Sequence, residues 1–201
     1  MNPSSTDIPF TPHTLQSLLS LMGTIAAERG QCYEIAVYGG SALALSFDWR
    51  VGTRDVDYMP VRGAESEIRA LGNEAAARLG LPLDGLRSDV SIFASEHAVC
   101  ALQGEYPRAH PEGHGLRVFT ATPEYILAMK ILAMRSSLET QDCRDVWHLL
   151  RVCGIESLED ASRLVRDFYP EQQIPIRNLR ILEDVMAEQQ AGRDYSPLVG
   201  W

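Results

Sequence analysis

Residues 37–45 read VYGGSALAL, and residues 54–59 read RDVDYM. In the first stretch an apolar segment runs into Gly39-Gly40, and Ser41 begins a segment of helical character. Glycine lacks Cβ, so a phosphate can approach its backbone closely, and the first turn of a helix offers N–H groups and a positive dipole end. A Gly-Gly-Ser sequence alone is more typical of an ordinary turn with a serine cap. Together with the Asp-x-Asp sequence downstream, it predicts a phosphate site at Gly39, Gly40 and Ser41.

The second stretch contains two carboxylates, Asp55 and Asp57, in a predicted strand over 55–59. Residues two apart in a strand point to the same side, so both carboxylates are expected to face one point. Mg²⁺ prefers oxygen ligands and is commonly shared with substrate phosphates. A lone Asp-x-Asp is often just a solvated strand face. Beside the glycine turn, it predicts a magnesium site.

The two stretches together resemble the minimal nucleotidyltransferase superfamily, and within it the bacterial families grouped with the AbiEii-type toxins. The resemblance includes Gly39 to Leu45 and the downstream pattern Arg50, Thr53, Asp55 and Asp57. It implies an α+β nucleotidyltransferase fold, a small mixed sheet flanked by helices. It also implies transfer of NMP from an NTP to a hydroxyl of RNA, such as tRNA, or of a protein. A toxin role and a cognate antitoxin partner follow from the same resemblance.

A helix is predicted from Pro123 to Arg135, and Lys130 interrupts its apolar surface from Tyr125 to Met134. A buried lysine requires an anionic partner or it loses its proton. The resemblance implies that Lys130 binds the nucleotide phosphates. Alternatively, Lys130 lies at the surface or pairs with a structural carboxylate. Asp142 and Asp145, one helical turn apart, are expected to pair with Lys130 or Arg135 or to bind substrate. The ordinary preference for acidic residues at the start of a helix explains them equally well.

Active enzymes of this superfamily usually add a third carboxylate on a later strand. Asp89 is the predicted catalytic residue in this role, and Asp84 is the alternative. If neither serves, the protein is expected to be a catalytically inactive nucleotide-binding or protein-interaction module.

The 201-residue chain carries a formal charge of -9, so no broad basic field attracts nucleic acid, and an RNA substrate would need a local patch. Its four cysteines form no C-x-x-C pair, which favours reduced thiols over a zinc site or a disulfide framework. The N-terminal residues lack the pattern of a signal peptide, and no apolar run is long enough to span a bilayer. These features predict a cytoplasmic protein.

Two parts are predicted along the chain. Residues 1–121 form the nucleotidyltransferase core with an N-terminal helix, capped by Thr11 and ended by Gly30. Residues 122–201 form a helical part packed on that core, and one of its helices starts with a cap at Ser157. A loop is predicted over 104–115, and the other predicted core elements are a helix over 64–79 and strands over 33–38, 55–59, 90–94, 98–102 and 116–120.

Overall fold

The computed structural model describes residues 10–89, 94–107, 113–134 and 141–192, so the predicted strand over 90–94 lies almost wholly outside the described residues. The described elements are helices and strands in the order α1 (Pro12–Glu28), β1 (Cys32–Val37), α2 (Gly39–Ser46), β2 (Val56–Arg62), α3 (Glu65–Leu79), β3 (Leu86–Arg87), β4 (Cys100–Tyr106), β5 (Gly115–Ala121), α4 (Pro123–Ala133), α5 (Gln141–Val152), α6 (Leu158–Phe168) and α7 (Ile176–Gln190). None of the helices in these ranges is both long and apolar enough to cross a membrane.

The strands form one mixed sheet in the order β3-β2-β1-β5-β4. Strand β1 is antiparallel to β2 and parallel to β5, while β2 and β3 run parallel and β4 and β5 run antiparallel. In the part of the chain that the structure describes, seven helices and a five-stranded mixed sheet confirm the predicted α+β class and fit a nucleotidyltransferase-like fold.

The chain divides into two compact units. The first contains residues 1–92 and 100–121, and the second contains 93–99 and 122–201. The sheet, α1, α2 and α3 belong to the first unit, and α4 to α7 belong to the second.

The core of the first unit follows the strand period. Tyr33, Ile35 and Val37 alternate along β1 and are buried on one face of the sheet. Helix α1 buries an apolar stripe that includes Leu15, Leu18, Leu19 and Met22. Thr11 caps this helix as predicted, because its hydroxyl accepts from the Thr14 N–H while the Thr14 hydroxyl accepts from the Thr11 N–H.

Several boundaries differ from the sequence prediction. Strand β2 begins at Val56, so Asp55 precedes the strand that was predicted over 55–59. Strand β4 continues to Tyr106, although a loop was predicted from Gly104, because Gly104 and Glu105 pair with β5 after a register shift. Helix α2 begins at Gly39 rather than Ser41, since the Tyr38 carbonyl already accepts from the Ala42 N–H at 3.2 Å.

In the second unit the Ser157 hydroxyl accepts from the Asp160 N–H, which confirms the predicted cap of α6.

Candidate nucleotide and metal site

The glycine turn lies where β1 passes directly into α2. Tyr38 is extended, and Gly39 has a φ of +58°, a left-handed value that favours glycine. The Tyr38 N–H donates to the Asp57 carbonyl at 2.9 Å. The ladder between β1 and β2 therefore holds the start of α2 beside the Asp-x-Asp strand.

Gly39 and Asp57 are in close contact. A Cβ added to Gly39 would lie 2.9 Å from Asp57 Oδ2, which is closer than real Cβ contacts allow. The missing side chain thus admits a half-buried carboxylate to the first turn of α2. The structure brings together the glycine turn and one predicted metal ligand.

Gly40 faces a different pair of groups. A Cβ there would lie 2.8 Å from a terminal guanidinium nitrogen of Arg50 and 2.8 Å from Thr53 Oγ1. Both side chains are buried, with 6% and 5% of their surfaces exposed. The guanidinium adds positive charge next to the N-terminus of α2, where the helix dipole is also positive. The side chains of Arg50 and Thr53 therefore pack directly against the glycine turn.

The Ser41 hydroxyl already has a hydrogen-bond partner in the turn. Ser41 is fully buried, and its Oγ donates to the Tyr38 carbonyl at 2.9 Å. A serine hydroxyl has a single proton to donate. Its backbone N–H, in the first turn of α2, is the group of Ser41 that suits a phosphate oxygen.

Asp55 has a partner that the sequence did not predict. Arg87 on β3 pairs with Asp57 in the strand register, and an Arg87 side-chain nitrogen lies 3.3 Å from Asp55 Oδ2. Val56 and Leu86 are buried while Asp57 and Arg87 are not, so the charged residues occupy the face away from the core. A two-residue strand has no readable period, so no sequence signal indicated Arg87.

The carboxylates fit a metal shared with a nucleotide better than a closed protein cage. Among the described residues no three His, Cys, Asp or Glu side chains come close enough to hold a metal ion. Asp84 lies in a short 3₁₀ turn, and Asp89 follows β3; both are exposed. Two carboxylates leave most of an octahedral shell to water and phosphates, which is usual for Mg²⁺.

The second unit contains its own charged cluster. Lys130 Nζ lies 2.8 Å from Asp142 Oδ1 and 2.8 Å from Asp145 Oδ2, and Gln141 donates to Asp145 Oδ1 at 2.9 Å. Burial by itself lowers the pKa of Lys130, but Asp145 and Asp142 together raise it above its ordinary value. The sequence allowed Lys130 to lie at the surface, to pair with a carboxylate or to bind phosphate. In the structure it pairs with the two carboxylates of α5.

A family model described as "Nucleotidyl transferase AbiEii toxin, Type IV TA system" matches residues 92–200, just over half of the chain. No curated protein and no solved structure matches. The matched range contains Lys130, Asp142 and Asp145, while the glycine turn, the Asp-x-Asp strand and Asp89 precede it. The match over this range shows that the chain belongs to the AbiEii family of nucleotidyl transferase toxins.

Proposed function

We propose that the protein is a Mg²⁺-dependent nucleotidyltransferase that moves NMP from an NTP to a hydroxyl of RNA, such as tRNA, or of a protein. Membership of the AbiEii family implies nucleotidyl transfer in general and a role in a toxin–antitoxin system with an antitoxin partner. The observation that carries the proposal is the contact between the glycine turn and the Asp-x-Asp strand, in which Asp57 Oδ2 lies against Gly39.

Each group of the turn has a role in this reaction. The N–H groups of Gly39, Gly40 and Ser41 are proposed to bind the β and γ phosphates, as N–H groups of a helix start do. Arg50 adds positive charge beneath Gly40. Asp55 and Asp57 would hold Mg²⁺, which would supply positive charge to neutralise the phosphates during the transfer.

The remaining proposed residues are Lys130 and Asp89. Lysine has three N–H donors, and two of those of Lys130 are directed at Asp142 and Asp145, which keep the ammonium charged. The third is proposed to donate to a phosphate. Asp89 is proposed to accept the proton of the acceptor hydroxyl. The oxygen of that hydroxyl bonds to the α-phosphorus while pyrophosphate leaves. Asp89→Asn should then lower kcat with little change in nucleotide affinity.

The direct test is transfer of label from the α-phosphate. Each of the four NTPs, labelled at the α or at the γ position, is incubated with total RNA and with a protein lysate, with and without Mg²⁺. We expect Mg²⁺-dependent incorporation from the α label and none from the γ label. Digestion of the product by ribonuclease or by protease then identifies the class of acceptor.

Asp57→Asn is the matched control because it keeps the size and shape of the side chain while removing its charge. It should abolish both labelling and Mg²⁺-dependent nucleotide binding, and the circular dichroism spectrum should not change. Absence of labelling with intact, Asp57-dependent nucleotide binding would favour the binding module instead. That alternative draws its support from the absence of a three-carboxylate cluster among the described residues.

A further inference from the structure

Arg87 has no assigned role in the nucleotide site, yet it lies on the same sheet face as the two carboxylates. It is opposite Asp57 in the register of β2 and β3 and contacts Asp55 at 3.3 Å. Residues paired in adjacent strands point to the same face of a sheet. Arg87 is therefore a cation that the pairing of β3 with β2 brings to the two carboxylates.

The ion pair between Arg87 and Asp55 is exposed and long. The side chains are 56% and 30% exposed, and their separation exceeds that of a good charge-assisted hydrogen bond. Exposed pairs of this kind contribute little to stability. Two nearby carboxylates nevertheless repel each other, and Arg87 offsets part of that repulsion.

A divalent cation would compete directly with Arg87 for Asp55. Mg²⁺ carries twice the charge of the guanidinium and can bind both carboxylates at once. Once displaced, Arg87 would still lie opposite Asp57, whose Oδ2 lies against Gly39 of the turn proposed to hold the phosphates. Its planar fork of N–H donors is well suited to phosphate oxygens.

We propose that Arg87 is a positioning residue with two successive partners: it holds the Asp55 carboxylate in the metal-free protein and turns to the triphosphate when metal and nucleotide bind. The proposal rests on the function proposed above. In this proposal the guanidinium of Arg87, on β3, provides a positive charge to the reacting phosphates. The predicted consequence is unusual, because removal of one side chain should strengthen the binding of one ligand and weaken that of the other.

The test compares Arg87→Gln with the wild-type protein in two titrations that need no turnover. The first measures Mn²⁺ binding to the nucleotide-free protein by electron paramagnetic resonance. The second measures inorganic tripolyphosphate binding at saturating Mg²⁺ by calorimetry, which avoids any choice of base. Arg78→Gln is the matched control, since Arg78 is 52% exposed in the same unit and pairs with Glu74. It corrects for the general effect of removing one positive charge.

We expect Arg87→Gln to bind Mn²⁺ about threefold more tightly and tripolyphosphate about tenfold more weakly, as loss of one charge-assisted contact predicts. Arg78→Gln should match the wild type in both. If the Mn²⁺ and tripolyphosphate affinities changed in the same direction, or if neither changed, the proposal for Arg87 would be overturned. The proposed function would survive that result if Asp57→Asn still abolished Mn²⁺ binding. If Asp57→Asn did not affect Mn²⁺ binding, both proposals would be wrong.

Discussion

The two charged clusters of this protein are built in opposite ways. At the Asp-x-Asp strand of the first unit, Asp55 and Arg87 are 30% and 56% exposed and make one long ion pair. In the second unit, Lys130 is 13% exposed, Asp145 is fully buried, and the ammonium contacts two carboxylates at 2.8 Å each. The first cluster is therefore exposed and loosely paired, whereas the second holds its ammonium between two carboxylates at short distance.

Burial explains why the clusters should respond differently to substitution. Charges that are removed from water lose a large hydration energy, which a partner must offset. Removal of one member of a buried pair therefore leaves a charge without compensation, whereas removal of an exposed member leaves a charge that water solvates. Stability should be sensitive to changes at Lys130, and ligand binding should be sensitive to changes at the glycine turn.

The largest expected effect is that of Lys130→Met. It should reduce the free energy of unfolding by about 3–5 kcal/mol, because Asp145 would remain buried without its cation. Urea unfolding followed by circular dichroism measures this loss. The double variant Lys130→Met/Asp145→Asn should regain part of the lost stability, since it removes the uncompensated charge. A double variant that is less stable than the single one would contradict this view of the cluster.

An intermediate effect is expected for Gly40→Ala, because the new Cβ would lie 2.8 Å from both Arg50 and Thr53. Both side chains are buried, and the Thr53 backbone N–H donates to the Phe10 carbonyl at 2.9 Å, which restrains the position of Thr53. The change should cost about 1–3 kcal/mol of stability. It should also weaken tripolyphosphate binding, measured by calorimetry.

Gly80→Ala is the control for Gly40→Ala. Gly80 caps α3 with a φ of +68°, and no atom lies within 4 Å of its added Cβ. It should lose some stability through backbone strain alone and should bind tripolyphosphate normally. Equal ligand binding by both variants would show that the packing beneath Gly40 does not shape the phosphate site.

The smallest effect concerns pH. The pKa of Lys130 is raised above 10.5, so the stability from its charge is complete below pH 10.5 and is lost as the pH rises through the higher folded pKa. Lys130 is the only lysine of the chain, so protein labelled with [ε-¹³C]lysine gives one resonance to follow by NMR. A titration midpoint of Lys130 at or below pH 10.5 would show that the two carboxylates raise its pKa by no more than burial lowers it.

Much of the local structure was predictable because it depends on neighbouring residues. The Thr11 and Ser157 caps, the apolar stripe of α1 and the glycine turn before α2 follow from propensity, spacing and capping chemistry. Strand β4 was predicted too short because Gly104 usually indicates a loop. Its pairing with β5, the next strand along the chain, overrode that local preference.

The sequence by itself determined that a strand, a glycine turn and a helix precede a pair of carboxylates, because spacing of two and a missing Cβ act over a few residues. Only the tertiary structure decided which distant groups meet there: Asp57 at Gly39, the Arg50 guanidinium beneath Gly40, and Arg87 at Asp55. It also selected the partners of Lys130 from the alternatives that the sequence allowed. The physical reason is that such contacts depend on strand register and helix packing, which no local pattern encodes.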